Sequence, residues 1–505
     1  MYSGYGFIKS EIGDVAVVMH HGEYHLFHLT LPNPDYIAHA VSRDGLRWRR
    51  VKNALFVSDP PAWDDDMLWT MHISKDPHRP GAWRMFYTGL SLQEGGRIQR
   101  LGLAVSDDLY HWRKVNEGPF PLAAQSPHYE STLDQGRKWV SFRDPYFVEH
   151  AGEGYLLVSA RVQHGPIIRR GCVAVLKETA PNHFELRPPA FHPLRYDDLE
   201  VPNLVRLGNR FYLVCSIRED IKVHYWYADQ VEGPYRNFAD NVLLPQGNYA
   251  ARVCRADGRY LVWNFFYKGL KMDGMHLMAP PKELVADDEG RLRLKRFAGF
   301  EALIASTLDP QQLVPLQAIL GNPSASAEAT PGVCHMACEG GMEIFLLQGE
   351  YDDFLLSGDM YLEGKGKCGL VLRVNDQGDG YFLSLDFYKG LAQLRAWGHN
   401  PEGGHEGAFH YQPLQTANFL PTPEPHRFSL LAHGQYLELS LNDFVVLTLA
   451  DDQFTQGRIG FYAEGAKLRV EGLTLNTAPT PTSPDAPETL AGRGMEECCF
   501  RAPPP

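Results

Sequence analysis

"GEYHLFHL" (residues 22–29) runs from a glycine into aromatic and aliphatic residues at strand spacing, and the phrase recurs along the chain. It returns as "GAWRMFYTG" (81–89), "GEGYLLVSA" (152–160), "GNRFYLVCS" (208–216) and "DGRYLVWNFF" (257–266). A second phrase, "AVSRDGLRW" (40–48) and "AVSDDLYHW" (104–112), follows the first two copies, so an apolar strand ends in an Asp-based turn closed by tryptophan. Copies spaced about 50–70 residues apart leave room for about four short strands each, the size of a propeller blade. A sandwich would not require five similar units. No long amphipathic helix interrupts them. Residues 1–300 are therefore expected to form a five-bladed β-propeller, making the fold class all-β.

The pattern changes after residue 300. "TLDPQQLVPLQAIL" reads as a short helix and "GNPSASAEATPG" as a linker, so 301–340 is expected to connect two domains. Residues 341–477 hold a further set of β-type segments separated by turn signals and are expected to form a jelly-roll sandwich. The Pro/Thr-rich tail, 478–505, has almost no apolar content and is expected to be disordered.

Composition limits what such a chain can do. With 505 residues, 44% of them hydrophobic and 12% aromatic, it can bury large cores. Its 61 acidic against 48 basic residues, net charge −13, argue against nucleic acid or an anionic membrane as partner. The first residues show neither the basic nor the apolar region of a signal peptide, and the eight cysteines are scattered like reduced thiols, so a cytoplasmic protein is expected. No apolar run approaches the ~20 residues of a membrane helix.

Each glycine-aromatic strand is read as the second of its blade, which makes the preceding strand innermost. Those inner strands open with acids: Asp14 ten residues before Tyr24, Asp144 eleven before Tyr155, and Glu200 eleven before Phe211. Blades two and five have no acid there, only Thr70 to His72 and Tyr249. Any one acid alone is more simply a turn former. Three acids in register on separate blades, aimed into one channel, are not explained that way. Converging carboxylates repel, which raises at least one pKa while another stays ionised. Glycoside cleavage needs such a division, because one side of an oxocarbenium-like transition state is protonated and the other stabilised. Arg143 is expected to keep its carboxylate neighbours charged. Trp63, Trp69, Asp66, His72 and Tyr249 complete the candidate sugar contacts.

Asp14 before "GEYHLF", then "HAVSRDGLRW", "FRDP" and "LEVPNLV", resembles glycoside hydrolase family 32 and the related furanoside-processing propellers of families 43, 62 and 68. Asp144 and Glu200 lie 56 residues apart, a spacing comparable to that family's. The resemblance implies Asp14 as nucleophile, Asp144 as transition-state stabiliser and Glu200 as general acid/base, with Trp69 lining the sugar subsite. It also implies a lectin-like sandwich after the propeller, and so extends to about residue 477. The family's "NDPNG" is here "GDVAV" and its "ECPD" is "EVPN", so the acids carry over without the residues that shape a fructose subsite.

The expected activity is glycosidase action on a furanoside, foremost a β-fructofuranoside such as sucrose or a short fructan, with retention. The alternatives are an inverting arabinofuranosidase or xylosidase of the family-43 type and a non-catalytic carbohydrate-binding propeller. The expected partner is an oligosaccharide or disaccharide, with no cofactor and no metal. "GKGKCG" (364–369) matches a dinucleotide pattern but precedes a strand rather than a helix, which rules it out. "CHMAC" (334–338) lacks a second ligand pair at zinc spacing. The run Asp64, Asp65 and Asp66 reads first as a solvated loop.

Overall fold

The computed structural model describes residues 1–2, 11–267, 276–314, 316–399 and 409–477. The tail 478–505, with its paired cysteines, lies outside them.

Five antiparallel sheets follow one another in sequence order, each with its strands running outward from first to last. The inner strands are Glu11–His20, Met67–Lys75, Phe142–His150, Glu200–Leu207 and Asn248–Ala256. Each packs against the inner strands of both neighbouring blades, and the first meets the fifth to close the ring. This is the five-bladed propeller expected from the repeat.

Blade-on-blade packing explains why the repeated phrase is nearly continuous in apolar character. In blade one every residue from Tyr24 to Thr30 is buried, because a second strand is covered on both faces by adjacent blades. The tryptophans ending the second phrase fill seams: Trp112 meets Phe27 edge-on at 5.7 Å, and Trp48 meets Trp263 at 5.6 Å. The Asp of that phrase makes the turn. Asp44 Oδ1 accepts the backbone N–H groups of Leu46 and Arg47, and Asp108 Oδ1 repeats this with Tyr110 and His111.

The C-terminal part is a single large, nearly closed antiparallel sheet organised around the long strand Arg458–Thr477. The segment 301–340, expected as a linker, contributes strands to it. Ala325–Thr330 forms a hairpin with Val333–Leu346, which pairs with Arg458–Thr477. Small residues pass for a linker in composition, yet at a sheet edge they need only lend their backbone to the ladder. The helix expected in "TLDPQQLVPLQAIL" shrinks to a 3₁₀ turn, Pro310–Leu313. Cys334 and Cys338 point into the sandwich core with Met336, and burial raises both thiols above their ordinary value. "GKGKCG" spans a turn leading into the strand Lys367–Val374.

Direct bonds join the two parts. Asn248 Nδ2 donates to the Thr448 carbonyl at 3.0 Å, and Arg296 Nε donates to Glu438 at 2.7 Å. No helix among the described residues is long and apolar enough to cross a membrane.

Candidate active site

All five inner strands slip register near the same end, between Ile12 and Val15, Trp69 and Met71, Arg143 and Tyr146, Glu200 and Asn203, and Tyr249 and Arg252. A bulge opposes two residues to one and re-aims their side chains. Asp144, Val201 and Ala250 occupy matching bulge positions, all with left-handed backbone, at φ 61°, 49° and 52°. For β-branched Val201 that conformation is strained. Its N–H donates to Asp144 Oδ2 at 2.9 Å, so the strained backbone presents a donor to a carboxylate.

This alignment corrects the expected register. Counted back from the pairs that close the hairpins, His20–Glu23, His150–Glu153 and Leu207–Arg210, Asp14 and Asp144 are equivalent, but the residue matching them in blade four is Val201, and Glu200 stands one step earlier. Tyr155 is the third residue after its hairpin turn, since Glu153 pairs with His150, whereas Phe211 is the second, since Arg210 pairs with Leu207. Equal counts of eleven therefore concealed an offset of one. In a regular strand that offset would send Glu200 to the opposite face. The bulge instead lets both positions serve the channel.

Two tiers result. In the first, just before the bulges, stand Trp69, Arg143, Glu200 and Tyr249 from blades two to five. Arg143 Nη2 donates to Glu200 Oε1 at 2.7 Å, Tyr249 OH donates to Oε2, and Arg218 adds another bond to Oε1. In the second tier Thr70 Oγ1 donates to Asp14 Oδ2, and the Asp144 N–H donates to Thr88 Oγ1 at 3.1 Å. The three acids interact directly. Burial, then Asp144 and Glu200, push the Asp14 carboxyl up to about 7, against the pull of Thr70 and Arg252. Burial also raises Asp144, despite Arg143 at 3.6 Å. Arg143 thus moderates that carboxyl without keeping it in the ordinary range. Burial alone would lower the guanidinium itself, but Asp198, Asp144 and Glu200 hold it well above its usual value. Its Nη1 is buried without a partner among the described residues, a donor left over for a ligand hydroxyl.

Sequence reasoning missed three residues. Asp198 pairs with both Arg143 and Arg137, which fixes the arginine from behind. Arg218 covers Glu200. Arg252 lies beneath the acids, where its Nη1 and Nη2 donate to the carbonyls of Pro202 and Pro145, each at 2.8 Å. Burial lowers this cation to about 10, while Asp144 and Asp14 act to raise it. Only the pairing of Asp with Asp198 in "YDDLE" and the position of Arg252 three residues after Tyr249 hinted at them.

The other expected contacts divide. Trp69 is half-buried in the first tier, beside Thr70. Trp63 stacks on Tyr87 at 5.8 Å and fills the space over Gly89, where an added Cβ would fall 2.5 Å from its ring. It is wall, not a free platform. Asp64 takes bonds from Tyr87 OH and Lys114 Nζ, and Asp65 from the backbone N–H of Leu92, so both anchor their loop. Asp66 is half-buried, its carboxyl raised by burial and Asp65. His72 Nδ1 accepts the Phe147 N–H at 3.0 Å and the ring lies 4.2 Å from Tyr146. It is half-buried and braces blade two against blade three.

Three carboxyls gathered in a propeller channel, with arginines and a phenol on one and a raised pKa on another, are the equipment of a glycosidase. Residues 15–267, half of the chain, match the model described as the glycosyl hydrolases family 32 N-terminal domain, and the chain belongs to that family. The match begins one residue after Asp14 and includes Asp144 and Glu200. The fold is similar to fructan 1-exohydrolase IIa from Cichorium intybus (TM-score 0.68, 13% identity, covering 93% of this chain and 95% of that one). It is also similar to sucrose-6-phosphate hydrolase from Lactobacillus gasseri (0.64, 17%, 91% and 90%) and a family-32 β-fructofuranosidase from Bombyx mori (0.63, 15%, 93% and 91%). No curated protein matches the sequence.

Proposed function

We propose that this glycosidase hydrolyses a β-fructofuranoside, a disaccharide or short oligosaccharide, with retention of configuration. The observation that carries the reading is the three-acid cluster, in which Asp14 is held by Thr70 and raised by Asp144 and Glu200. Family membership and the printed names of the similar structures support the fructoside. In the first step ionised Asp14 attacks the anomeric carbon, the glycosidic bond breaks, and Glu200 gives its proton to the leaving oxygen. In the second, Glu200 takes a proton from water, which attacks that carbon and releases Asp14 as carboxylate. Asp144 and Arg143 hold ring hydroxyls through both transition states.

The raised carboxyl of Asp14 makes its ionisation, which the attack requires, complete only above neutral pH. Asp14 carries the raised pKa, while Arg143, Arg218 and Tyr249 donate to the Glu200 carboxyl. Sugar hydroxyls can take over the bonds that Arg143 and Arg218 make to Glu200. One observation favours a second reading: a carboxyl near 7 also suits a general base for water, which would make the reaction inverting. NMR of the first-formed anomer from sucrose, 1-kestose and nitrophenyl arabinofuranoside tests both. Retained fructose supports the proposal, inverted product supports Asp14 as base, and turnover of the arabinofuranoside alone overturns the fructoside.

A further inference from the structure

The C-terminal sheet carries a second concave site. A cavity of about 820 Å³ opens on its outer face, lined by Ser384, Tyr388, Gln393, Arg395, Trp397 and Tyr411 among others. Trp397 and Tyr411 are direct cross-strand partners whose rings meet edge-on at 5.3 Å, and Trp397 also contacts Phe382 at 4.9 Å. Tyr411 is 56% and Tyr388 66% exposed. Rings standing this open on a sheet face leave apolar surface uncovered.

The polar groups between the rings are already fixed. Arg395 Nη1 donates to Tyr411 OH at 2.6 Å, and its Nε donates to Gln393 Oε1 at 3.1 Å. Gln393 Nε2 donates to Thr416 Oγ1 at 2.9 Å. At the rim Lys367 stands against Glu464 at 3.4 Å and Lys389 against Asp386 at 3.6 Å, while Lys365 and Arg395 add two cations without an ion pair among the described residues. A cavity with preoriented planar donors and exposed ring faces suits a polyhydroxylated ligand better than an apolar one. Sugars meet that description, since their C–H faces stack on rings while their hydroxyls bond to amide and guanidinium groups.

We propose that this cavity is a carbohydrate-binding site that holds a polysaccharide or oligosaccharide chain apart from the propeller channel. It rests on the glycosidase class of the protein and not on the fructoside reading. Binding there would tether a chain whose end is cleaved in the propeller, raising its local concentration.

The test is affinity electrophoresis of the full-length chain carrying Asp14→Asn, in gels cast with inulin, levan or xylan. Retardation by at least one polymer is expected, and Trp397→Ala combined with Tyr411→Ala is expected to weaken it at least tenfold. In an otherwise native chain the same two changes should leave kcat/KM on sucrose or nitrophenyl furanosides within twofold while lowering turnover of the retarding polymer. The milder Gln393→Ala, which removes no ring, should weaken retardation several-fold and guards against a folding defect. No retardation by any of the three polymers overturns the proposal, as does retardation the variants leave unchanged. Retardation without fructoside hydrolysis would sink the proposed substrate yet uphold this site.

Discussion

Asp14→Asn should make the propeller more stable at alkaline pH, and the size of the effect follows from the cluster. The folded protein raises the Asp14 carboxyl from its ordinary 3.8 to about 7. Unfolded chains lose that proton near pH 4, so between about pH 4 and 7 the folded state binds more protons and stability falls as pH rises. The full 3.2-unit shift (7 − 3.8) corresponds to about 4 kcal/mol at 1.36 kcal/mol per unit. Asp14 is only half-buried, and water screens part of the repulsion, so about 2 kcal/mol is the expected gain at pH 8. The amide still accepts from Thr70 and carries no charge to repel Asp144. Urea unfolding at pH 4.5 and 8 measures the effect. Tryptophan fluorescence isolates the propeller transition, since eight of the nine tryptophans precede residue 300. A gain that is equal at both pH values, or a variant less stable than the parent at pH 8, would refute the account of repelling buried acids.

Other outcomes follow from the same contacts. Thr70→Val removes the bond that lowers the Asp14 carboxyl, so the acid limb of kcat/KM should move to higher pH with its plateau retained; an unmoved limb would detach that limb from Asp14. Glu200→Gln should cut kcat by about 10²–10⁴-fold with unchanged circular dichroism, and undiminished turnover removes Glu200 from the reaction. Arg252→Met strands the buried carbonyls of Pro145 and Pro202, at about 1–3 kcal/mol each. Unfolding free energy should drop by about 2–6 kcal/mol, and a loss below about 1 kcal/mol would show that water replaces the guanidinium.

Much of this was legible in the chain because propeller blades are local. Each blade folds from one stretch of sequence, and its second strand is buried on both faces, so "HLFHL", "RMFYT" and "FYLVC" repeat a pattern that composition alone preserves. The three acids were legible for the same reason, being near one end of consecutive units. The linker was misjudged because Ala325–Thr330 has no side-chain pattern of its own and is held by the backbone of Val333–Leu346. The bond that orients His72 was not legible either, because its donor is the Phe147 N–H from another blade.

By itself, then, the sequence determined the number of blades, the strand carrying each acid, and the chemical type of each group. Tertiary structure alone decided the register, because a bulge adds a residue without changing composition, and that slip sets where Glu200 stands relative to Asp14 and Asp144. It alone decided the protonation pattern too. The Asp14 pKa is set by burial and by Asp144, Glu200, Thr70 and Arg252, drawn from all of the other four blades. No spacing along one strand can encode a field assembled around a ring.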